Sequence, residues 1–303
     1  MAPVRDPEEL TADGAPAEAT ISDATTLGPV HLTVSDLERS LDFYRNAIGL
    51  HVLGRDDGRA RVGAGERELL VLVEEPGARP ADGFTGLFHF ALLLPERADL
   101  ARWLAHVARE RVPLTGASDH FVSEAIYLRD PDRHGIEVYW DRPRALWEGQ
   151  VARMGTWPLD LDGLLRELED PASAPFDGLP PGTSMGHVHL RVADVRDTIG
   201  FYRDVLGFAL MAQLGAQAAF LSAGGYHHHI GANTWESRGA PPAPPGTARL
   251  RHATIVLPDV DERERVADRA AQARYELESA DGDPLFRDPA GNALVLAVAA
   301  PAR

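Results

Sequence analysis

The chain of 303 residues contains no cysteine. Disulfide frameworks, thiolate metal sites and cysteine nucleophiles are therefore excluded, and a reducing cytoplasm is the expected home. No run of about 18 apolar residues occurs, which argues against a membrane-spanning helix. The N-terminus also lacks the basic-then-apolar pattern of a secretion signal. Positive charge is scarce: 30 Lys and Arg stand against 46 Asp and Glu, a formal net charge of −16. That excess of acid argues against nucleic acid and anionic membrane surfaces as partners. What the chain does have is length and 44% hydrophobic residues, enough for two domains with real cores.

Residues 1–25 are acidic, rich in Ala and Pro and without sustained periodicity, and read as a loosely ordered arm. A Pro/Gly-rich stretch, "EDPASAPFDGLPPGTS" (169–184), reads as a connector between halves. The expected organisation is an arm over 1–25, one domain over 26–148, a linker with a helix over 149–184 and a second domain over 185–300.

The chain repeats itself. "VSDLERSLDFYRNAIGLHVL" (34–53) aligns without gaps on "VADVRDTIGFYRDVLGFALM" (192–211), and at the same offset Asp130-Pro131 aligns on Asp288-Pro289. Each half holds two units in which an alternating strand, an N-capped amphipathic helix and three further strands follow one another. The pattern β-α-β-β-β, four times over, predicts an α+β fold of curved mixed sheets with helices outside and a cleft inside. Such paired units, with the repeated "FYR" and "DP" elements, resemble the vicinal oxygen chelate superfamily over about 27–298. The resemblance implies two paired glyoxalase/bleomycin-resistance/extradiol-dioxygenase barrels and a divalent metal in a cleft.

Only alternate residues of a strand face a cleft, so ligands must come from several converging strands. The first strands of the units carry His31, His89, His187 with His189, and His252, while the last strand of the second unit carries Glu137. At the position of Glu137 the fourth unit has Val295. If units 2 and 3 pair, His89, Glu137 and His187 stand in register, leaving units 1 and 4 a metal-free cleft. If units 1 and 2 pair, His31 is the alternative third ligand. Two imidazoles and one carboxylate on one face leave three positions open, as in non-haem Fe(II) oxygenases.

Within the superfamily, "GHVHLRV", "YHHHIG" and "DHFVSEAIYLRDPDRHGIEVY" resemble type I extradiol dioxygenases of the catechol 2,3-dioxygenase family. That resemblance implies a metal held by His89, Glu137 and His187, with Fe(II) as the ion, Mn(II) accepting the same ligands, and O2 as co-substrate. It further implies a small aromatic diol as substrate, cleaved next to the diol to a semialdehyde. His228 takes the acid–base role by the same resemblance, and His120 and Tyr127 stand beside the substrate. In a strand His227 and His229 would share the face opposite to His228.

Two other readings compete. A glyoxalase-type isomerase or lyase would use carboxylates from both units, and a binding or resistance protein would need no metal. Phe90 and Trp140 are candidates both for pocket lining and for core. The "DRPRALWEGQ" segment (141–150) could pack across the halves or form a homo-oligomer contact, and 161–170 reads as an acidic amphipathic helix. His51, His106 and His134 are expected to be solvated.

Overall fold

The computed structural model describes residues 10–11 and 20–299. Most of the expected N-terminal arm (1–9 and 12–19) therefore lies outside the described residues. After strand β1 (Leu10–Thr11), four βαβββ units follow in order. The first comprises β2 (Thr26–Val34), α1 (Leu37–Phe43), β3 (His51–Asp56), β4 (Arg59–Ala64) and β5 (Arg67–Glu74). After a short β6 (Arg79–Pro80), the second comprises β7 (Gly86–Leu93), α2 (Arg97–Arg109), β8 (Leu114–Asp119), β9 (Ser123–Arg129) and β10 (Gly135–Asp141). Between the halves lie β11 (Trp157–Pro158) and α3 (Leu161–Leu165). The third comprises β12 (Ser184–Arg191), α4 (Val195–Ile199), β13 (Ala209–Leu214), β14 (Ala218–Ser222) and β15 (Ile230–Asn233). Past β16 (Thr247–Ala248), the fourth comprises β17 (Leu250–Leu257), α5 (Val260–Gln272), β18 (Glu278–Ala280), β19 (Asp283–Arg287) and β20 (Ala293–Val298).

Helix starts follow the caps written in the sequence. Asp36 accepts from the Arg39 N–H at 3.0 Å, and Asp194 from those of Arg196 and Asp197. Both α1 and α4 run on into a π-helical turn that carries the repeated Phe-Tyr-Arg, ending near Gly49 (φ +90°) and Gly207 (φ +92°). The repeat has a structural reason. The Tyr44 hydroxyl donates to Asp130 at 2.9 Å, and the other carboxylate oxygen of Asp130 accepts the N–H groups of Asp132 and His134. Tyr202 binds Asp288 at 3.2 Å, and Asp288 holds the N–H groups of Ala290 and Asn292 in the same way. The helix of one unit thus anchors the tight turn that launches the last strand of the next.

The sheets cross this pairing. One sheet runs β1-β13-β14-β15-β12-β7-β10-β9-β8-β11, and the other β18-β19-β20-β17-β2-β5-β4-β3. Units 2 and 3 therefore share one sheet through the antiparallel pair β7/β12, and units 1 and 4 share the other through β2/β17. Alternation sends Phe90, Leu92, Val188 and Leu190 to the core, each fully buried, with an expected contribution of about 2 kcal/mol per side chain. A one-residue slip of β7 would push His89 into that core, so burial fixes which face carries the histidines.

Two expectations are corrected. The helix over 161–170 is only α3, with Gly163 weakening its centre and Leu164 as its buried residue. His134 is buried, with Nε2 against the Thr33 carbonyl at 2.9 Å, because the Asp130 turn folds it inward. His51 is exposed, as expected, and accepts from the Gly65 N–H, while His106 is partly buried and stacks on Phe176 at 4.2 Å. No helix among the described residues is long and apolar enough to cross a membrane.

Candidate metal centre and cleft

The outward face of β7 presents His89 and Ala91. On β10, parallel to β7, Glu137 stands level with Ala91. On β12, antiparallel to β7, His187 also stands level with Ala91. Tyr127 on β9 is level with Glu137, so one row crosses four strands as Tyr127, Glu137, Ala91, His187. Ala91 offers only a methyl group, and Glu137 and His187 meet beside it. His187 Nε2 lies 3.2 Å from Glu137 Oε2, and His89 Nε2 lies 3.1 Å from the same oxygen. One ligand atom from each of the three falls within 4.8 Å of the others.

The residue before His187 is where this geometry is set. A register shift separates Met185 from His187, and a side chain on Gly186 would place its Cβ 1.7 Å from the Tyr139 hydroxyl oxygen. Bulges of this kind recur beside functional sites.

The charge balance suits a cation. Glu137 is 3% exposed and forms ion contacts only with the two imidazoles among the described residues. The chain has no lysine, and among the described residues no arginine pairs with this carboxylate. Burial by itself would raise the Glu137 carboxyl, but His187 and His89 outweigh it and hold the group well below the usual range. Burial lowers His187 despite the attraction of Glu137, favouring the neutral imidazole. His187 Nδ1 is buried without a hydrogen-bond partner, and His89 Nε2 has none besides its contact with Glu137. A buried carboxylate and two imidazoles within 4.8 Å of one another fit a divalent ion of intermediate hardness.

His120 and Tyr127 come together on the neighbouring wall. His120 Nδ1 lies 2.7 Å from the Gly155 carbonyl, which can only accept, so this nitrogen carries the proton. In the neutral ring Nε2 then accepts from the Tyr127 hydroxyl at 2.7 Å. Burial first, then Glu137, pushes the Tyr127 phenol well above its ordinary value, keeping it protonated. Residues 152–157, inside the stretch expected to be a connector, also line the cleft.

The three consecutive histidines do not form a strand, because β15 begins only at Ile230. They nevertheless diverge. His228 lines the cleft, its ring 4.1 Å from that of His187. His229 turns to Ser222 and the Ala223 N–H, and His227 to Asp141. Burial, followed by the facing histidines, holds His228 well below the usual imidazole range.

His31 is not brought to this centre. It pairs across the other sheet with His252, their rings 3.8 Å apart, and the row matching the metal row reads Leu285, Val295, Thr254, with Pro29 beyond. Among the described residues, the only group of three or more metal-ligating side chains is His89, Glu137 and His187.

Phe90 is core, and Trp140 packs on its edge without lining the cleft. The aromatic wall comes from Phe88, Phe220 and Trp235 together with His189. No motif singled out Phe88, Phe220 or Trp235. Ala91 and Asp141 were also missed; alternation along β7 would have exposed the first, but nothing in sequence marks the second. The cleft measures about 1320 Å³, ample for a substituted aromatic ring.

The family model for the Glyoxalase/Bleomycin resistance protein/Dioxygenase superfamily matches residues 26–138 and 184–296. A catechol-2,3-dioxygenase of Bacillus subtilis (strain 168) is 44% identical over 283 residues, covering 91% of this chain and 98% of that protein. Among solved structures, one from Bacillus subtilis superposes with a TM-score of 0.64 at 16% identity, covering 93% of this chain and 87% of that one. Glyoxalase I from Zea mays gives 0.55 at 18% identity, covering 90% and 92%. With both halves matched to the family model and a 44% identical relative covered almost end to end, the chain belongs to the glyoxalase/bleomycin resistance protein/dioxygenase superfamily.

Proposed function

We propose that this protein is an extradiol dioxygenase that opens the ring of a catechol with O2 next to the diol, giving a semialdehyde. The observation that carries the reading is the buried His89–Glu137–His187 group at the floor of an aromatic cleft, in a chain 44% identical to a catechol-2,3-dioxygenase. His89, Glu137 and His187 are the metal ligands in this reading, with Fe(II) as the ion and Mn(II) as the alternative that the same donors accept. When bound, such an ion would supply a Lewis acid and the one-electron chemistry that a closed-shell diol needs to react with O2.

The chain's own residues do the rest. Phe88, Phe220 and Trp235 hold the flat ring and exclude water from one side. His228, neutral and beside His187, accepts a proton from a diol hydroxyl and returns it later. The Tyr127 hydroxyl, tied to His120, gives a fixed dipole at the opposite wall, one residue pair from Glu137. A glyoxalase-type isomerisation fits less well, since the ligand group contains one carboxylate. The cysteine-free composition suits a reducing cytoplasm.

The test is anaerobic reconstitution with Fe(II), then addition of catechol and air near neutral pH. A yellow ring-cleavage product is expected from the wild type and none from Glu137→Ala. Failure of the protein to bind any metal, or full turnover by Glu137→Ala, overturns the reading.

A further inference from the structure

His227 is 0% exposed, packed against the rings of Tyr226 at 4.0 Å and Trp147 at 5.7 Å. Both its nitrogens are engaged: Nε2 lies 2.9 Å from Asp141 Oδ1, and Nδ1 lies 2.8 Å from His228 Nδ1. The other oxygen of Asp141 accepts from the Tyr226 hydroxyl at 2.8 Å, and that hydroxyl meets the Tyr139 hydroxyl at 2.7 Å. None of these four residues ligates the metal centre. Asp141, Tyr139, Tyr226 and His227 do not line the cleft, whereas His228 does.

The direction of each hydrogen bond follows from its acceptors. A carboxylate only accepts, so Tyr226 Oη and His227 Nε2 both donate to Asp141. A neutral His227 then has a bare Nδ1, which must accept from His228 Nδ1–H. We infer that Asp141 and His227 are positioning residues that fix His228 as the Nδ1–H tautomer, leaving its Nε2 lone pair for the cleft. The inference rests on the role proposed above for His228 and extends it to two residues outside the cleft. Without the pair, the ring could rotate or present an N–H where a proton must be accepted. A carboxylate orienting an imidazole through its far nitrogen is a known device for holding one tautomer; here a second imidazole lies between them.

Asp141→Asn inverts the chain. Tyr226 still donates, and takes the amide oxygen, so the amide N–H faces His227 Nε2. His227 must then protonate Nδ1, donate to His228, and force the proton of His228 onto Nε2. The test is ¹⁵N-histidine NMR at pH 8 on the full chain with Zn(II) in place of paramagnetic Fe(II), the His228 signals being assigned by their loss in His228→Gln. The wild type is expected to show Nδ1–H at His228, and Asp141→Asn to show Nε2–H. With Fe(II), Asp141→Asn and His227→Leu are expected to lose about 10²-fold or more in kcat, with KM and bound metal within about threefold of wild type. Tyr226→Phe, which leaves the Asp141–His227 bond intact, is expected to lose less than about tenfold. In the wild type an Nε2–H signal at His228, or an imidazolium at His227, overturns the inference, a result that needs no variant to fold. So does wild-type kcat in Asp141→Asn. A wild type that binds metal but never opens catechol refutes the dioxygenase reading while the tautomer measurement stands separately.

Discussion

Replacing Glu137 by Gln keeps the shape of the metal row and removes one buried charge. In the metal-free protein the change removes the attraction of His89 and His187, at 3.1 and 3.2 Å, that outweighs burial of the carboxylate, so the variant is expected to be somewhat less stable than the metal-free wild type. With metal the outcome differs. An ion bound to the folded state alone, at a free concentration 100 times its Kd, stabilises by ~2.7 kcal/mol. At ~2.1 cal/mol/K per residue, 303 residues give an unfolding entropy near ~0.64 kcal/mol/K, so the wild type should melt about 4 °C higher. Differential scanning calorimetry with and without Mn(II), which avoids oxidation, reads this directly. Glu137→Gln should melt at or somewhat below the metal-free wild type and show no shift on adding Mn(II). A wild type indifferent to metal, or a variant that shifts as far as the wild type, would refute the assignment of the row as a metal centre.

Gly186→Ala should destabilise by about 1–3 kcal/mol and displace His187, since the new methyl meets the buried Tyr139 hydroxyl at 1.7 Å; an unchanged urea midpoint with full metal content would contradict this. Ala91→Leu should fill the space beside which Glu137 and His187 meet and abolish metal uptake while leaving all three ligands in place, as measured by metal analysis. Stability should also depend on pH through the His31–His252 pair, lowered to about 3 and about 4, in each case chiefly by burial. Because the folded values lie below the unfolded 6.5, this stability is complete above about pH 7 and is lost as pH falls from 6.5 toward 4, about 1 kcal/mol per imidazole at pH 5.5. Urea titrations of His31→Gln/His252→Gln at pH 7.5 and 5.5 should show a smaller difference than the wild type; an equal difference would sink the idea.

The positions of β2, β7, β12 and β17 were legible because alternation, flanking glycine and a following capping Asp or Pro speak with one voice. Glu137 was legible because a carboxylate on an otherwise apolar strand has no local reason to be there. Other features depended on contacts that no period encodes. His134 looked like a loop residue and is buried because Asp130 closes the turn over it. The expected helix 161–170 shrank because Gly163 and few buried side chains leave little to support it. The histidine run was read as a strand, yet its rings diverge in a loop whose course is set by Trp147 and Asp141, residues of the preceding unit.

By itself the sequence determined the four repeated units, the strands that carry histidine, and the chemistry available to them, since these follow from local periodicity and residue type. Which unit pairs with which was open in the sequence, because both arrangements bury the same apolar faces. The tertiary structure decided it by laying β7 against β12, which brings His187 to Glu137 beside Ala91 and leaves His31 with His252 on the other sheet. It also decided the neighbours of His228, for only the folded chain brings Asp141, 86 residues away, to His227.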